Sequence, residues 1–388
     1  MYRIKTVDKV APAGINAFNP EKYTFADDFT NPDGILVHST VLHGMEFNPE
    51  LKCIVRIGAG FNTIPIDECA KNGIAVFNCP GGNANAVKEL TLAAMIMSMR
   101  NGFAAMEWVK SLPEEETEAG NTVEKGKSAY RGPEIMGKKI AIIGVGNIGS
   151  RMAKACHDLG MIVYGYDPLL STQRMAELKD VCQFVHSLEE ILPMADIVTI
   201  HCPLNAETRG FIGAKEIAMM KDGVYLVNYA RGPILDEEAV CDALEAGKIK
   251  SFATDFPTPR QMRMKNVVFT PHLAAGTPEA DVNCAVMAAK EMIDYIENGN
   301  ITNSVNMPDV AFARANGARV CIFHDNKVGM LGKITDVVTE QKLNIENLVN
   351  KGRGEIAYTI LDFNTEVPVE LGAALKAIDG VIRVRVIE

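Results

Sequence analysis

The sequence "KKIAIIGVGNIGSRMAKACHDLG", residues 138–160, decides the fold of this chain. It opens with a short apolar run typical of a buried strand and closes with the apolar spacing of an amphipathic helix. Between the two lie glycines in the pattern G-x-G-x-x-G, which allow a tight turn and bring a pyrophosphate close to a helix N-terminus. The stretch therefore predicts a dinucleotide-binding βαβ unit. The predicted phosphate loop consists of Gly144, Gly146, Asn147, Ile148 and Gly149.

The next strand pattern, "MIVYGYDP", ends at Asp167. A carboxylate at this place accepts hydrogen bonds from the adenosine ribose and repels a 2′-phosphate, so it favours NAD over NADP. Further strand patterns at 196–201, 223–229, 248–254 and 267–270 alternate with helical ones. That alternation predicts a parallel, doubly wound sheet, because parallel strands need crossover helices.

The rest of the chain predicts two more domains. Compact strand patterns at 35–38, 53–57 and 74–77 indicate a first doubly wound α/β domain, to which a helix over 278–298 returns the chain. The order strand, helix, strand, strand, helix, strand over 318–388 predicts a ferredoxin-like domain. The polar, acidic segment 111–132 is expected to be a solvated excursion. We therefore expect a substrate domain (1–98 and 288–308), an NAD domain (99–287), a linker (309–317) and a C-terminal regulatory domain (318–388).

Bulk composition narrows the function. A net charge of −10 argues against nucleic acid or an anionic membrane as the main partner. The nine cysteines are scattered and form no C-x-x-C pair, which favours reduced thiols over disulfides or a metal site. No apolar run reaches the ~18 residues of a membrane span, and the N-terminus lacks a signal-peptide pattern. We expect a cytoplasmic protein without a bound metal.

Polar residues follow several of the predicted strands. Ligands on such sheets bind outside the carboxyl ends of the strands. Arg231, after Ala230, is placed to clamp a carboxylate with two hydrogen bonds. His272 follows a further strand, and Pro271 before it fixes the turn. His201 is expected to be a packing residue at a strand end.

The motifs "GVGNIG", "YDP", "HCPLNAET", "NYARG", "ATDF" and "TPHLAAGT", in this order, resemble the NAD-dependent D-2-hydroxyacid dehydrogenase family over essentially the whole chain. The resemblance implies a split substrate domain around a central NAD domain. It assigns Arg231 to the substrate carboxylate and carbonyl, His272 as acid and base for the C2 oxygen, and Asp255 to the nicotinamide amide. It adds Pro203 and Ala230 as cofactor contacts.

Within the family, "VRIGAGFNTIPID" and "NCPGGNANAVKEL" resemble the members that oxidise 3-phospho-D-glycerate in serine biosynthesis. In the resemblance, backbone amides of the glycine-containing loop hold the substrate carboxylate and Arg56 helps to bind the phosphate. His38 stands where the family often carries Arg, which leaves open a hydroxypyruvate or glycerate substrate. The implied substrate-binding residues are Ser39, Arg56, Gly58, Ala59, Gly60, Asn83 and Lys88.

Residues 318–388 resemble an ACT domain, a module that binds amino acids at paired interfaces. "FHDNKVGMLGKI" and "KLNIENL" match its serine-binding version at His324, Asn326 and Asn344, although Val328 replaces the usual proline. The resemblance implies a homodimer or homotetramer and L-serine as an inhibitor. A purely dimerising domain is the alternative.

One family residue is missing. The family carries a Glu shortly after the Asp255 position, and this Glu pairs with the histidine that matches His272; here "FPTPRQMR" contains no acid. Another carboxylate could approach from elsewhere, the histidine could act without one, or the protein could be a non-catalytic NAD sensor. We favour catalysis, because Arg231, His272 and Asp255 are all present. The basic residues Arg260, Arg263 and Lys265 are expected on a solvated loop.

Overall fold

The computed structural model describes residues 1–115, 120–315 and 317–388. Residues 116–119 of the predicted acidic excursion and residue 316 of the predicted linker lie outside the described residues. The chain divides into two compact units, which we call the first unit (Met1–Asn83 with Pro278–Glu388) and the second unit (Ala84–Thr277). No described helix is both long and apolar enough to cross a membrane.

The first unit begins with a parallel sheet of order β2-β1-β3-β4-β5, the order of a doubly wound flavodoxin-like sheet. The inner strands are continuous apolar runs that are almost wholly buried, as expected of a sheet covered on both faces. The elements are β1 (Tyr2–Thr6), α1 (Pro12–Ile15), β2 (Tyr23–Ala26), β3 (Gly34–Val37), β4 (Cys53–Arg56), α2 (Ile66–Lys71) and β5 (Ala75–Asn78).

The second unit contains a parallel sheet of order β12-β11-β10-β9-β6-β7-β8, which is the Rossmann order with one extra strand. Three short 3-10 helices occur at Lys127–Tyr130, Gly232–Ile234 and Gln261–Arg263. The remaining described elements are α3 (Ala84–Met99), α4 (Gly102–Ser111), α5 (Asn121–Gly126), β6 (Lys139–Ile143), α6 (Asn147–Asp158), β7 (Ile162–Tyr166), α7 (Thr172–Leu178), β8 (Gln183–Phe184), α8 (Leu188–Ile191), β9 (Ile197–Ile200), α9 (Ala214–Met219), β10 (Val224–Asn228), α10 (Glu237–Glu245), β11 (Ile249–Thr254) and β12 (Val267–Phe269).

The unit boundaries lie earlier in the chain than expected. They fall at 83/84 and 277/278, not at 98/99 and 287/288. The reason is packing: α3 buries Val87 and Met95 in the core beneath β6, while α11 (Pro278–Asn298) buries Cys284 and Met292 in the core of the first sheet. Each of these helices therefore belongs entirely to one unit.

The C-terminal segment forms the expected βαββαβ unit, with an antiparallel sheet of order β14-β15-β13-β16. This order is that of a ferredoxin-like fold, so the predicted fold class is confirmed for all three sheets. The elements are β13 (Arg319–Asp325), α12 (Met330–Glu340), β14 (Ile345–Arg353), β15 (Ile356–Phe363), α13 (Val369–Lys376) and β16 (Val381–Ile387).

This C-terminal sheet is not a separate body, although the sequence predicted a separate domain behind a linker. Its helices cover one face, where Ile322 and Leu361 are buried. The opposite face shares a core with the first sheet, because Phe323 and Tyr358 pack in the same cluster as Tyr295 of α11. The substrate part and the C-terminal part of the first unit therefore form one apolar core.

Candidate active site

The phosphate loop of the second unit has the geometry of a dinucleotide cradle. Gly144 has φ +88, and a Cβ there would lie 2.6 Å from the backbone nitrogen of Cys202. A Cβ on Gly149 would collide with the carbonyl oxygen of Gly144, so only glycine permits this contact between the turn and α6. A Cβ on Gly146, in contrast, meets no described atom within 4 Å, which leaves the loop open on one side.

Asp167 braces the same loop. Its Oδ2 accepts a hydrogen bond from the backbone N–H of Val145 at 2.9 Å, and its Oδ1 accepts one from Leu169 at 3.0 Å. No side chain of the described residues caps the N-terminus of α6, so its first amides are available to an anionic ligand. These features fit a bound dinucleotide, with its pyrophosphate at the start of α6 and its ribose beside Asp167.

The loop after β12 carries His272 in an uncommon conformation. Its φ is 54, a left-handed value that costs a non-glycine residue energy. Its backbone N–H donates to the carbonyl oxygens of Asp255 at 3.0 Å and Thr270 at 3.1 Å. The side chain is exposed, as a residue that must meet substrate and exchange protons requires.

Asp255 holds this loop through its side chain. Its Oδ1 accepts from the Thr270 hydroxyl at 2.5 Å and from the Leu273 amide at 2.8 Å, and its Oδ2 accepts from the Ala274 amide at 2.9 Å. The residue is 1% exposed. The sequence resemblance assigned Asp255 to the cofactor amide, and its contacts within the chain show that it also fixes the His272 loop. Thr270 was missed, although it lies in the quoted motif "TPHLAAGT".

Phe256 lies close to both predicted catalytic side chains. Its ring centroid is 4.6 Å from that of the His272 imidazole, with the planes inclined by 51°. The guanidinium carbon of Arg231 lies 5.9 Å from the centroid of the same ring. Arg231 and His272 follow β10 and β12, and Phe256 follows the strand between them, so all three meet at one sheet edge. Nothing in the sequence pattern singles out Phe256 beyond its position after Asp255.

Arg231 is partly buried at this edge. Arg231 Nη1 donates to the carbonyl oxygen of Ala230 at 2.7 Å. Burial lowers the pKa of the Arg231 guanidinium from its usual value. A guanidinium nevertheless stays charged near neutral pH. The amide of Asn228 fixes the turn from both sides, since Nδ2 donates to Arg231 O at 2.9 Å and Oδ1 accepts from Ala230 N at 3.1 Å.

His201 lies beside the phosphate loop at the end of β9. Its Nε2 shares a hydrogen bond of 2.9 Å with Thr199 Oγ1, and its Nδ1 is buried without a partner among the described residues. Burial lowers the pKa of His201 to about 3, so the ring is neutral near pH 7 and a weak base. Pro203, predicted as a cofactor contact, begins the turn two residues later, where its carbonyl oxygen accepts from Thr208.

In the first unit, the loop after β3 is organised by Asp8, which the sequence reasoning missed. Asp8 Oδ2 accepts from the backbone amides of His38, Ser39 and Thr40 at 2.7, 2.9 and 3.1 Å. Burial alone would raise the pKa of Asp8, but the Thr40 hydroxyl and these amides outweigh it and lower the pKa to about 2. The backbone amide of Ser39 thus donates to Asp8. This leaves the Ser39 hydroxyl for a contact with substrate.

The loop after β4 is built around Arg56. Its guanidinium lies where a side chain on Gly58 would be, since a Cβ there would lie 2.7 Å from the guanidinium carbon. Gly58 also has φ +150, which favours glycine. Asn78 at the end of β5 donates to the Ala59 carbonyl at 2.5 Å, and this bond fixes the loop before Gly60. β3, β4 and β5 are parallel neighbours, so these loops leave the same edge of the first sheet.

Two further predicted substrate residues have different surroundings. Asn83 keeps its side-chain oxygen buried and without a partner among the described residues, as expected of a group awaiting a ligand. Lys88 on α3 donates to Asn85 Oδ1 at 2.8 Å and lies 3.6 Å from Glu89. Its charge is therefore partly balanced on its own helix.

The predicted effector residues differ in their exposure and contacts. His324 is 2% exposed, and its Nδ1 and Nε2 bond to Asp325 O and Thr359 Oγ1, both at 2.8 Å. Asn326 is exposed, and its Nδ2 donates to the Gly354 carbonyl. Asn344 is exposed at the start of β14. The contacts of His324 are those of a structural residue within the C-terminal sheet.

Basic residues of the loop after β11 contact acids on the surface. Arg260 Nη2 lies 2.8 Å from Asp242 and 3.0 Å from Glu245 on α10, and all three side chains are well exposed. This agrees with the predicted solvated loop. Among the described residues no group of His, Cys, Asp and Glu has the arrangement of a metal site.

Comparison with known proteins links these features to one family. A family model described as "D-isomer specific 2-hydroxyacid dehydrogenase, NAD binding domain" matches residues 92–274, which include β6 to β12 and the His272 loop. The chain is 33% identical over 350 residues to a D-3-phosphoglycerate dehydrogenase of Escherichia coli strain K12, covering 86% of this chain and 82% of that protein. It is 31% identical over 385 residues to the enzyme of the same name from Bacillus subtilis strain 168, covering 94% and 70%.

A solved structure also matches. The NAD+-bound 3-phosphoglycerate dehydrogenase of Entamoeba histolytica has 25% identity and a TM-score of 0.61, and the match covers 79% of this chain and 98% of that one. The predicted family resemblance and the predicted cofactor are thereby confirmed. The comparisons do not confirm an ACT domain at the C-terminus.

Proposed function

This chain belongs to the D-isomer-specific 2-hydroxyacid dehydrogenase family and uses NAD, and we propose that it oxidises 3-phospho-D-glycerate to 3-phosphohydroxypyruvate. This reaction would place it at the first step of L-serine biosynthesis. The substrate is proposed because relatives named D-3-phosphoglycerate dehydrogenase match the chain and because Arg56 and Gly58 form a loop suited to an anion. The proposed catalytic roles rest on one observation. Arg231 and His272 both contact the ring of Phe256 at the carboxyl edge of one sheet.

The proposed roles follow from the chemistry of these side chains. His272, exposed in the loop after β12, takes the proton of the C2 hydroxyl as general base. Arg231 has several N–H donors besides the one bonded to Ala230, so one guanidinium can orient both the substrate carboxylate and the C2 oxygen. When bound, NAD would accept the hydride that leaves C2. Gly144, Gly146, Gly149 and Asp167 would hold it.

The first unit supplies the proposed groups for the rest of the substrate. Backbone amides at Gly58, Ala59 and Gly60 would bind the carboxylate, and the Arg56 guanidinium beside them would bind the phosphate. Asn83, whose side-chain oxygen has no partner among the described residues, would accept a hydrogen bond from a hydroxyl. Lys88, on α3 of the second unit, is a weaker candidate for the phosphate, because Asn85 and Glu89 already contact its ammonium.

The test is an assay of NADH formation by the purified full chain with 3-phospho-D-glycerate, D-glycerate and a short panel of other 2-hydroxy acids. We expect kcat/KM to be highest for the phosphorylated acid. Arg56→Gln should raise its KM roughly tenfold or more, since a charge-assisted hydrogen bond contributes about 1.5–3 kcal/mol. The same variant should leave the KM for D-glycerate nearly unchanged. Faster turnover of D-glycerate than of the phosphorylated acid would show that His38, in place of the family Arg, marks a glycerate dehydrogenase.

Inhibition by L-serine is a separate proposal. It is supported by the βαββαβ order of residues 318–388 and by the exposed amides of Asn326 and Asn344. The buried ring of His324 counts against a direct contact of that residue with serine. Titration of L-serine into the assay, with Asn344→Ala as the matched variant, tests it. Equal rates with and without millimolar serine would remove this proposal and leave the catalytic one intact.

A homodimer or homotetramer is likewise proposed, and sedimentation would test it.

A further inference from the structure

We propose that Phe256 is a positioning residue of the reaction, whose ring holds the Arg231 guanidinium and the His272 imidazole in a fixed mutual arrangement. The inference rests on the proposed catalytic roles of those two residues. Phe256 occupies the sequence position directly after Asp255, in the segment where the family places its carboxylate but this chain has none.

The position of the ring is itself well fixed. The Phe256 backbone N–H donates to the hydroxyl of Thr254 at 3.1 Å, and Thr254 is 1% exposed. A Cβ on Gly232 would lie 3.2 Å from the Cβ of Phe256, so the glycine after Arg231 leaves the space into which Phe256 packs. The chain thus anchors Phe256 from β11 and makes room for it in the turn after β10.

The ring contacts both proposed catalytic side chains. At 4.6 Å between centroids and 51° between planes, Phe256 and His272 form a tilted aromatic pair, an arrangement that restricts rotation of the imidazole. At 5.9 Å, Arg231 lies within the range of a cation–π contact with the same ring. A single rigid side chain with two rotatable bonds therefore links the residue proposed to orient the substrate with the one proposed to accept its proton.

A carboxylate partner would hold the imidazole by a hydrogen bond and an ionic attraction. An aromatic ring holds it by shape and by its quadrupole, which fix orientation with far less bias toward the charged form. The contact is therefore suited to a histidine that must be neutral to act as a base and yet keep one orientation.

The kinetic test compares Phe256→Leu with Phe256→Tyr. Leucine keeps apolar bulk but loses the flat ring, and we expect kcat to fall roughly tenfold, the size of a lost aromatic contact together with poorer alignment of the base. KM for the hydroxy acid and for NAD should change less than about threefold. Tyrosine keeps the ring and should retain at least half of the wild-type kcat. Phe269→Leu, at an exposed phenylalanine of the adjacent strand, is the matched control and should behave as wild type.

A second measurement does not depend on turnover. The chain has seven histidines, so histidine-labelled protein gives few ring signals, and His272→Gln identifies the one that belongs to residue 272. In the wild type this signal should carry a ring-current shift that is lost in Phe256→Leu and kept in Phe256→Tyr. A wild-type kcat in Phe256→Leu, or an unchanged His272 signal in that variant, would overturn the inference. If the wild type oxidises no hydroxy acid, the proposed function fails, while the ring signal still decides whether Phe256 orients His272.

Discussion

At the scale of single residues, the site depends on backbone conformations that neighbouring side chains enforce. His272 is held at a left-handed φ of 54, a conformation that costs about 1–3 kcal/mol and persists only where other contacts fix it. Asp255 supplies those contacts with both carboxylate oxygens and its carbonyl. The segment after Asp255 lacks the acid of the family, and Asp255 fixes the conformation of the His272 backbone.

Asp255→Asn tests this role. The amide would direct an N–H group at donors such as the Leu273 or Ala274 amide, and a buried donor left unpaired costs about 1–3 kcal/mol. We expect a lower melting temperature of the second unit and a kcat reduced by roughly tenfold or more, with the Kd for NAD nearly unchanged. If Asp255 serves mainly as a nicotinamide contact, the Kd for NAD will rise while the melting temperature stays that of the wild type.

Gly58→Ala tests the arrangement of Arg56. The new methyl group would occupy the position of the guanidinium, which must move away from the loop. We expect KM for 3-phospho-D-glycerate to rise by about an order of magnitude or more, with KM for NAD unchanged. Gly332→Ala, where a Cβ on α12 meets no described atom within 4 Å, is the control. An unchanged KM for 3-phospho-D-glycerate in Gly58→Ala would show that substrate binding does not require the Arg56 guanidinium in this position.

At the scale of elements, α11 is the principal support of the first unit. The C-terminal sheet satisfies its last carbonyls: Arg385 donates to Tyr295 O at 3.2 Å and Ile296 O at 2.8 Å, and Arg319 donates to Asn298 O at 2.8 Å. Cations near a helix C-terminus also interact favourably with the helix dipole. Arg319 is itself buried and paired with Asp362 at 2.6 Å, so the charge of Arg319 is balanced.

The same helix buries a carboxyl group, Glu291, whose side chain makes stability depend on pH. Its Oε1 accepts from Asn303 Nδ2 at 2.7 Å, while Oε2 is buried without a partner among the described residues. Burial raises the pKa of Glu291 to about 8 from 4.5. The pKa of Glu291 is higher in the folded state than in the unfolded state. Its contribution to the free energy of unfolding is therefore fully present below pH 4.5 and is lost as the pH rises through about 8.

Glu291→Gln removes this dependence. Relative to the wild type, we expect it to gain roughly 2–4 kcal/mol in the free energy of unfolding between pH 5 and pH 9. Chemical denaturation at several pH values measures the difference, and Glu46→Gln, at an exposed position of the same unit, is the control. Parallel pH curves for wild type and Glu291→Gln would show that the carboxyl is not protonated in the folded state.

At the scale of the whole molecule, much of the architecture could be predicted from the sequence. The helix over 278–298 and most strands of both parallel sheets were found within about two residues, because buried apolar runs and glycine turns are local signals. The strands Tyr23–Ala26 and Gln183–Phe184 were missed, since edge strands are short and partly polar. The docking of the C-terminal sheet, the clamp of Asp255 and the ring of Phe256 depend on contacts distant in sequence, which periodicity does not report.

The shared core of the first unit predicts that residues 318–388 cannot be removed without damage. Deleting them would expose the face of α11 at Tyr295 and Ile296 and leave the helix carbonyls without their donors. We expect the truncated chain to lose the cooperative unfolding of the first unit, seen by calorimetry and by rapid proteolysis at 1–83. A truncated chain that melts within about 2 °C of the full one would contradict the single core.

The most direct test of the central claim, base catalysis by His272 in an NAD-dependent 2-hydroxyacid dehydrogenase, is a paired measurement on the wild type and His272→Gln. Initial rates of NADH formation with saturating 3-phospho-D-glycerate are compared with the Kd for NAD of the same two samples. We predict a fall in kcat of roughly 10²–10⁴-fold, the usual contribution of general acid–base catalysis, with a Kd for NAD within about twofold of the wild type. Equal rates in the two proteins at equal NAD affinity would contradict the assignment of the base to His272.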